Sequence, residues 1–233
     1  MPGQDIRIAG PAGEFSAYMA KPQSGRGPGI VVLQEVFGVN HVMRERCDEL
    51  ADLGFIAVCP DLFWRIEPGV DITDKTQEEW DKAFSLMKAF NPDTGIEDIA
   101  ATIDHVRAME GCTGKVGAMG YCLGGLLAYL TAARTDSDAT VGYYGVNIAS
   151  HLDAAAKISR PLMLHIAGKD QFVPEEAQAA MHTALDPHRQ VTLYDYPGDD
   201  HAFARPGGKH FNAASAELAN TRSRDFLRTH LAA

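Results

Sequence analysis

The sequence is short of cysteine, of long apolar runs and of positive charge, and each shortage excludes something. Four cysteines (Cys47, Cys59, Cys112, Cys122) among 233 residues are too few for a disulfide scaffold. No two of them form Cys-x-x-Cys, and the nine histidines show no His-x-x-x-His spacing, so no structural zinc or other metal is expected. Free thiols in a reducing cytoplasm are the expectation. The longest apolar stretch, around Leu126 to Ala133, falls well short of the ~18–20 residues of a membrane span. The opening Met-Pro-Gly-Gln-Asp-Ile-Arg lacks the apolar core of a secretory signal. Lysine and arginine number 21 against 31 acidic residues, a net charge of −10. That balance argues against nucleic acid and anionic membranes as partners, and leaves room for a small anion in a locally basic pocket. Repeats, low-complexity tracts and long linkers are absent as well, so one domain over residues 1–233 is expected, working as a monomer.

What is present is an alternation. Short β-rich apolar runs recur at Gly29–Leu33, Phe55–Cys59, Lys115–Met119, Thr140–Tyr144, Pro161–Ile166 and Val191–Tyr196. Most are apolar throughout, as strands covered on both faces should be. Between them lie helical periods, such as Ile96, Ile99, Ala100 and Ile103, spaced i, i+3, i+4, i+7. This order predicts an α/β fold: a mostly parallel central sheet with right-handed crossovers and helices on both faces. Before residue 20, the alternating Ile6, Ile8 and Phe15, Ala17, Met19 predict an antiparallel hairpin at the sheet edge. Arg65–Thr76 is a longer polar excursion between a strand and a helix.

The most informative residues are Met119-Gly120-Tyr121-Cys122-Leu123-Gly124-Gly125, between a predicted strand and a predicted helix (Leu126–Ala133). Gly-x-Cys-x-Gly in that context is a nucleophile elbow with cysteine in place of serine. The sharp turn requires small residues two positions either side of the nucleophile, where strand and helix backbones approach. The helix N-terminus then puts unpaired N–H groups and partial positive charge beside the sulfur. Taken alone, the same residues also describe a buried cysteine with glycine turn punctuation. Two further strand ends decide between the two. Asp170 follows the strand Pro161–Ile166, and His201 follows Val191–Tyr196. Nucleophile, acid and histidine therefore come in the chain order this fold uses, at the sheet edge where open α/β folds bind ligands. In that arrangement His201 accepts the thiol proton and returns it to the leaving oxygen, while Asp170 sets the tautomer.

A fourth strand end runs from Gly29–Leu33 into Gln34-Glu35-Val36-Phe37-Gly38-Val39-Asn40, the turn that supplies the second oxyanion-hole N–H in such hydrolases. Glu35 is either a cap or surface residue, or a buried carboxylate near the sulfur that favours the protonated thiol. Cys47, Cys59 and Cys112 read as structural, and Lys169 as a solvated charge.

With those residues in view, the chain resembles the dienelactone hydrolase (carboxymethylenebutenolidase) family, cysteine members of the α/β-hydrolase fold. The matching stretches are 34–40, 57–63, 115–125, 141–146, 168–174 and 200–206. The resemblance implies a triad of Cys122, Asp170 and His201, a Glu35 that contacts the resting thiol until substrate displaces it, and an oxyanion hole from the N–H groups of Leu123 and Val36. It implies no cofactor. It also implies hydrolysis of an unsaturated five-membered lactone bearing a carboxylate (4-carboxymethylenebut-2-en-4-olide, opened to maleylacetate), as in the breakdown of aromatic compounds.

Two arginines are associated with that carboxylate in the family. One matches Arg205, whose guanidinium suits a bidentate grip, though a surface ion pair or a partnership with Glu35 are its other readings. The second position holds Trp80. A capping box at Thr76–Glu79 opens that helix, and Trp80, Ala83, Phe84 and Met87 predict a core-facing stripe. Trp80 is thus plain packing or an apolar wall of the pocket. The missing arginine keeps a second enzymatic reading open, a broad carboxylesterase or thioesterase with no carboxylate preference. A non-catalytic metabolite-binding protein is the reading outside enzymes, and it would have no use for a complete triad.

Overall fold

The computed structural model describes residues 3–232. Eight strands form a mixed, mostly parallel sheet in the order β1-β2-β4-β3-β5-β6-β7-β8. The chain divides into two compact units, one running to Ala118 and one from Met119 to Ala232.

In the first unit, β1 (Gln4–Gly10) and β2 (Gly13–Ala20) form the expected hairpin, with Ile6 opposite Ala17 and Ile8 opposite Phe15. Ile8, Phe15, Ala17 and Met19, the residues of the predicted alternation, are all covered, and Tyr18 and Ala20 on the other face of β2 are buried too, so the second half of β2 is covered on both faces. β2 also pairs antiparallel with β4 (Ile56–Pro60), which pairs parallel with β3 (Gly27–Leu33). Both β3 and β4 are buried almost throughout, which explains why they read as unbroken apolar runs. α1 (His41–Asp52) packs on β2, β3 and β4, capped by the Asn40 side chain accepting from Met43 N. α3 (Pro92–Ala108) has Asn91 as its cap and proline in its first turn, where a missing N–H costs nothing. β5 (Cys112–Tyr121) runs from this unit into the next. Cys112, read above as structural, is the first residue of that strand.

The excursion after β4 is a folded strap pinned by carboxylates. Asp61 accepts from Phe63 N at 3.1 Å and from Gly69 N at 2.7 Å. Buried Asp98 of α3 takes the Trp64 indole N–H at 2.8 Å and Arg65 at 2.7 Å, with the Arg65 guanidinium lying over the Trp64 ring. The strap leads into α2 (Gln77–Ala89), which carries the predicted capping box of Thr76 and Glu79. The stripe on α2 differs from expectation. Ala83 and Leu86 are its buried residues, and Phe84 is 45% exposed. Phe84 turns outward to stack on Trp80, ring centres 5.4 Å apart, so it covers a neighbour's ring instead of entering the core.

In the second unit, β6 (Thr140–Tyr143), β7 (Leu162–Ala167) and β8 (Val191–Tyr196) run parallel, Gly142 beside Leu164 and Leu164 beside Leu193. α4 (Leu123–Arg134) is buried on nearly every side. It therefore shows no polar face, as a helix in the middle of a unit should not. It starts three residues earlier than the apolar run suggested, immediately after Cys122. A 3-10 segment spans Ile148–Lys157. α5 (Glu175–Leu185) packs on β8, and α6 (Ala213–Leu231) on β7. β8 closes the sheet order and is only partly buried, as suits an edge strand with one neighbour. Among the described residues, no helix is long and apolar enough to cross a membrane.

Candidate active site

Cys122 sits at the joint between β5 and α4 with φ 57° and ψ −113°. That backbone conformation is unfavourable for any residue with a side chain. It persists because both flanks are held. Cys122 N donates to Tyr143 O at 3.1 Å, and the Cys122 carbonyl accepts from Gly125 N at 2.9 Å as the helix begins. A Cβ at Gly125 would stand 2.6 Å from both Tyr143 O and Gly145 Cα, so only glycine lets β6 lie this close to the turn. Gly-x-Cys-x-Gly does not include this third glycine, and its role became visible only with β6 in place. Leu123 is the first residue of α4, so its N–H has no carbonyl within the helix to bond and lies at the positive end of the helix.

Asp170 lies in the turn after β7 and His201 in the turn after β8. The structure brings both to Cys122. Asp170 Oδ2 and His201 Nδ1 are 2.7 Å apart, and the His201 ring hydrogen-bonds the Cys122 side chain. With Nδ1 occupied by Asp170, the nitrogen that faces the sulfur is Nε2. All three residues are buried, at 8% exposure or less. The other Asp170 oxygen accepts from Phe172 N at 2.8 Å, so the carboxylate is held at both ends. Burial alone would lower the His201 pKa. The charge on Cys122, the hydrogen bond that the ring donates to Asp170, its hydrogen bond to Cys122 and the Asp170 charge outweigh it and carry the value to about 10. The ring is thus held as imidazolium between sulfur and carboxylate at neutral pH.

Sequence reasoning missed the aromatic edges and the anchors of this group. Tyr144 and Phe172 meet the His201 ring edge-on, with ring centres 5.2 and 4.8 Å away. Tyr144 has φ 37°, a second strained residue one strand over from Cys122. Tyr143 at the end of β6, with Tyr144 and Gly145 directly after it, was the available signal, and an aromatic pair at a strand end reads as ordinary core. Asp199 and Asp200 anchor the histidine loop. Asp199 takes Asn212 Nδ2 at 2.6 Å and Ser215 Oγ from the start of α6, and Asp200 takes His201 N at 2.7 Å.

The remaining expected residues divide by unit. Arg205 follows His201 by one turn, its N–H donating to Ala202 O at 3.0 Å, and is half-buried. In the first unit, Glu35 and Val36 are buried in the turn after β3. Trp80 is half-buried on α2, donates its indole N–H to Asp74 O at 3.0 Å, and meets the Phe37 ring edge-on at 5.1 Å. It is therefore packed against the turn that carries Glu35 and Val36. Among the described residues, no group of three or more histidine, cysteine, aspartate or glutamate side chains is set to hold a metal ion.

A strained strand-to-helix cysteine after β5, with a buried acid–imidazole pair at the ends of β7 and β8, puts this chain among the enzymes of the α/β-hydrolase fold. Comparison with known proteins gives the family. The chain belongs to the dienelactone hydrolase family, whose profile matches residues 15–231. A relative in Azospirillum brasilense, provisionally named a carboxymethylenebutenolidase, is 51% identical over 232 residues, covering 97% of this chain and 99% of that one. Carboxymethylenebutenolidase 1 of Cupriavidus pinatubonensis is 36% identical over 215 residues, covering 92% of each. Among solved structures, one described as a provisional dienelactone hydrolase from Klebsiella pneumoniae has the same fold, with a TM-score of 0.84 over 96% of this chain and 97% of that one, at 24% identity. The protein is an enzyme that hydrolyses ester or lactone bonds.

Proposed function

We propose that the chain opens a small lactone, a carboxylate-bearing dienelactone above all, through a Cys122 acyl-enzyme. The observation that carries this reading is the alignment of strained Cys122, His201 and Asp170, with His201 held as imidazolium beside the sulfur. Cys122 Sγ attacks the lactone carbonyl, and the Leu123 N–H at the start of α4 is aimed at the oxyanion that forms. The tetrahedral intermediate collapses with formation of a thioester and cleavage of the ring C–O bond. His201 Nε2 gives its proton to the departing oxygen. Neutral His201 then takes a proton from water, which attacks the thioester and releases the carboxylic acid and the thiolate. For 4-carboxymethylenebut-2-en-4-olide, the product after tautomerisation is maleylacetate. The names of the relatives support that substrate class.

From the family resemblance we carry three further roles. Glu35 contacts the resting Cys122 side chain until substrate displaces it, Val36 gives the second oxyanion N–H, and Arg205 binds the substrate carboxylate. Trp80, buttressed by Phe37 and Phe84, supplies apolar surface where the family has an arginine. We also propose that the two units work as one catalytic domain, which the family match across residues 15–231 supports, acting as a monomer in the cytoplasm without a cofactor.

Cys122→Ala tests the reading. Its turnover of the dienelactone and of p-nitrophenyl acetate is expected to vanish while its circular dichroism stays that of the parent. Parental activity in the folded variant would sink the assignment. For Glu35, the pH profile of Cys122 alkylation in Glu35→Gln is expected to differ from that of the parent. Superimposable profiles would remove Glu35 from the mechanism.

A further inference from the structure

The interior of the second unit holds a line of polar side chains that the chemistry above does not use. Arg222 donates to Tyr196 Oη at 3.2 Å, and Tyr196 Oη lies 2.8 Å from His165 Nδ1. His165 Nε2 is 2.8 Å from Ser223 Oγ, which is 2.6 Å from Tyr143 Oη, and Tyr143 donates to Asn220 Oδ1 at 3.1 Å. The line begins on α6, crosses β8 and β7, returns to α6 at Ser223, and passes through Tyr143 of β6 to end on α6 at Asn220. His165, Ser223 and Tyr143 are almost wholly buried.

The two ends give the line one direction. A guanidinium only donates and an amide oxygen only accepts. Tyr196 already accepts from Arg222, so its own hydrogen is free for His165 Nδ1. His165 then carries its proton on Nε2 and gives it to Ser223, Ser223 gives to Tyr143, and Tyr143 to Asn220. Every hydroxyl and ring hydrogen in the line then has an acceptor. Burial first, and the Arg222 charge second, hold the His165 pKa down to about 3, so the ring stays neutral and the direction persists across the working pH range. Arg222 is fixed in turn by lying over the Tyr194 ring at 4.0 Å.

Tyr143 is the residue where this line meets the nucleophile. Its carbonyl accepts the Cys122 N–H. Its ring lies against Tyr121, the residue before Cys122, with centres 4.7 Å apart. Its neighbour Tyr144 donates its N–H to His165 O at 2.8 Å and meets the His201 ring edge-on. One residue thus touches the strained turn through both backbone and side chain, and the next touches the imidazole.

We propose that the Tyr196–His165–Ser223–Tyr143 hydrogen-bond line is a positioning device, which fixes the end of β6 and through it the geometry of Cys122 against His201. This rests on Cys122 being the nucleophile. Buried networks of this kind cost stability if broken, but they specify one arrangement when every member is satisfied. Here the arrangement specified is a backbone conformation that the chain would not otherwise hold.

The test uses the full chain and p-nitrophenyl acetate as substrate, with Ser223→Ala, Tyr143→Phe, the double variant, Ser223→Thr and Asn220→Ala. Misplacing a nucleophile without touching the substrate lowers kcat while leaving KM nearly alone, so Ser223→Ala and Tyr143→Phe are expected to lose roughly ten- to hundredfold in kcat. Cys122 alkylation by iodoacetamide is expected to slow in parallel. The double variant should be about as impaired as either single one, because one break already severs the line. Ser223→Thr, which keeps the hydroxyl, should recover most of the rate. Asn220→Ala removes only the terminal acceptor at a half-buried position and gives a milder break if the others fold poorly. Variants that melt earlier yet keep parental kcat and alkylation rates would overturn the proposal and reduce the line to packing. Cys122→Ala run alongside separates the two failures. If that variant is active, the nucleophile reading itself has failed. If it is dead while the line variants are unimpaired, only the positioning role falls.

Discussion

Cys122 and His201 are legible as chemistry because each departs from what its residue type does by default. A cysteine at φ 57° sits in a strained conformation that the hydrogen bonds on its two flanks hold in place, and a buried imidazole usually becomes neutral, whereas this one is raised to about 10. The cause is a specific pair of neighbours, so it predicts a specific change. NMR of the imidazole should find His201 protonated through pH 8 in the parent, and Cys122→Ala, which removes the leading upward influence, should titrate at lower pH. A variant value equal to the parent's would mean that the sulfur carries no charge beside the ring. The same shift has a sign for stability. The folded value lies above the ordinary 6.5, so the stabilisation is complete below about pH 6.5 and is lost as pH rises toward 10. Thermal melts of the parent should show that decline over this window, and His201→Gln should lack it. Sequence alone gave these residues types and order. It could not supply the aromatic edges of Tyr144 and Phe172, because ring orientation around His201 depends on strands brought together from distant parts of the chain.

At the scale of elements, the strands were the most legible part. Val191–Tyr196 falls on the residues its apolar run marked, and the hairpin register follows its alternation. α2 was legible at its start, through the Thr76 capping box, and less so along its length. The i, i+3, i+4 pattern cannot tell an aromatic that enters the core from one that covers a neighbouring ring, and Phe84 does the latter. The strap after β4 was the least legible, since its order comes from Asp61 and Asp98, two carboxylates with nothing in their neighbourhood to mark them as anchors. Asp98→Ala leaves the Arg65 guanidinium and the Trp64 indole without their acceptor. With Arg65 a quarter exposed, the loss should be about 1–3 kcal/mol. A fall in melting temperature with new proteolytic cuts in residues 62–75 is the expected outcome. An unchanged melt and cleavage pattern would show that the strap is held by other means.

For the whole molecule, the relevant comparison is between two substrates. Net charge is −10, so under the proposed function an anionic lactone would approach against the overall field, and local positive charge, assigned above to Arg205 and the start of α4, would have to meet it. The ratio of kcat/KM for the dienelactone over a neutral aryl ester is expected to favour the dienelactone and to shrink in Arg205→Ala. A parent that prefers the neutral ester would mean that Trp80, at the position where the family has its second arginine, has moved the enzyme to uncharged esters.

The account stands or falls on the covalent step, and that step can be seen directly. The parent is mixed with p-nitrophenyl acetate, quenched in acid within milliseconds, and digested for peptide mass spectrometry. We expect one acetyl group, on the peptide containing Cys122, labile to hydroxylamine and absent from Cys122→Ser digests handled in the same way unless the new hydroxyl is itself acylated. An acetyl group found on another side chain, or turnover with no acylated peptide even when His201→Ala slows deacylation, would contradict it.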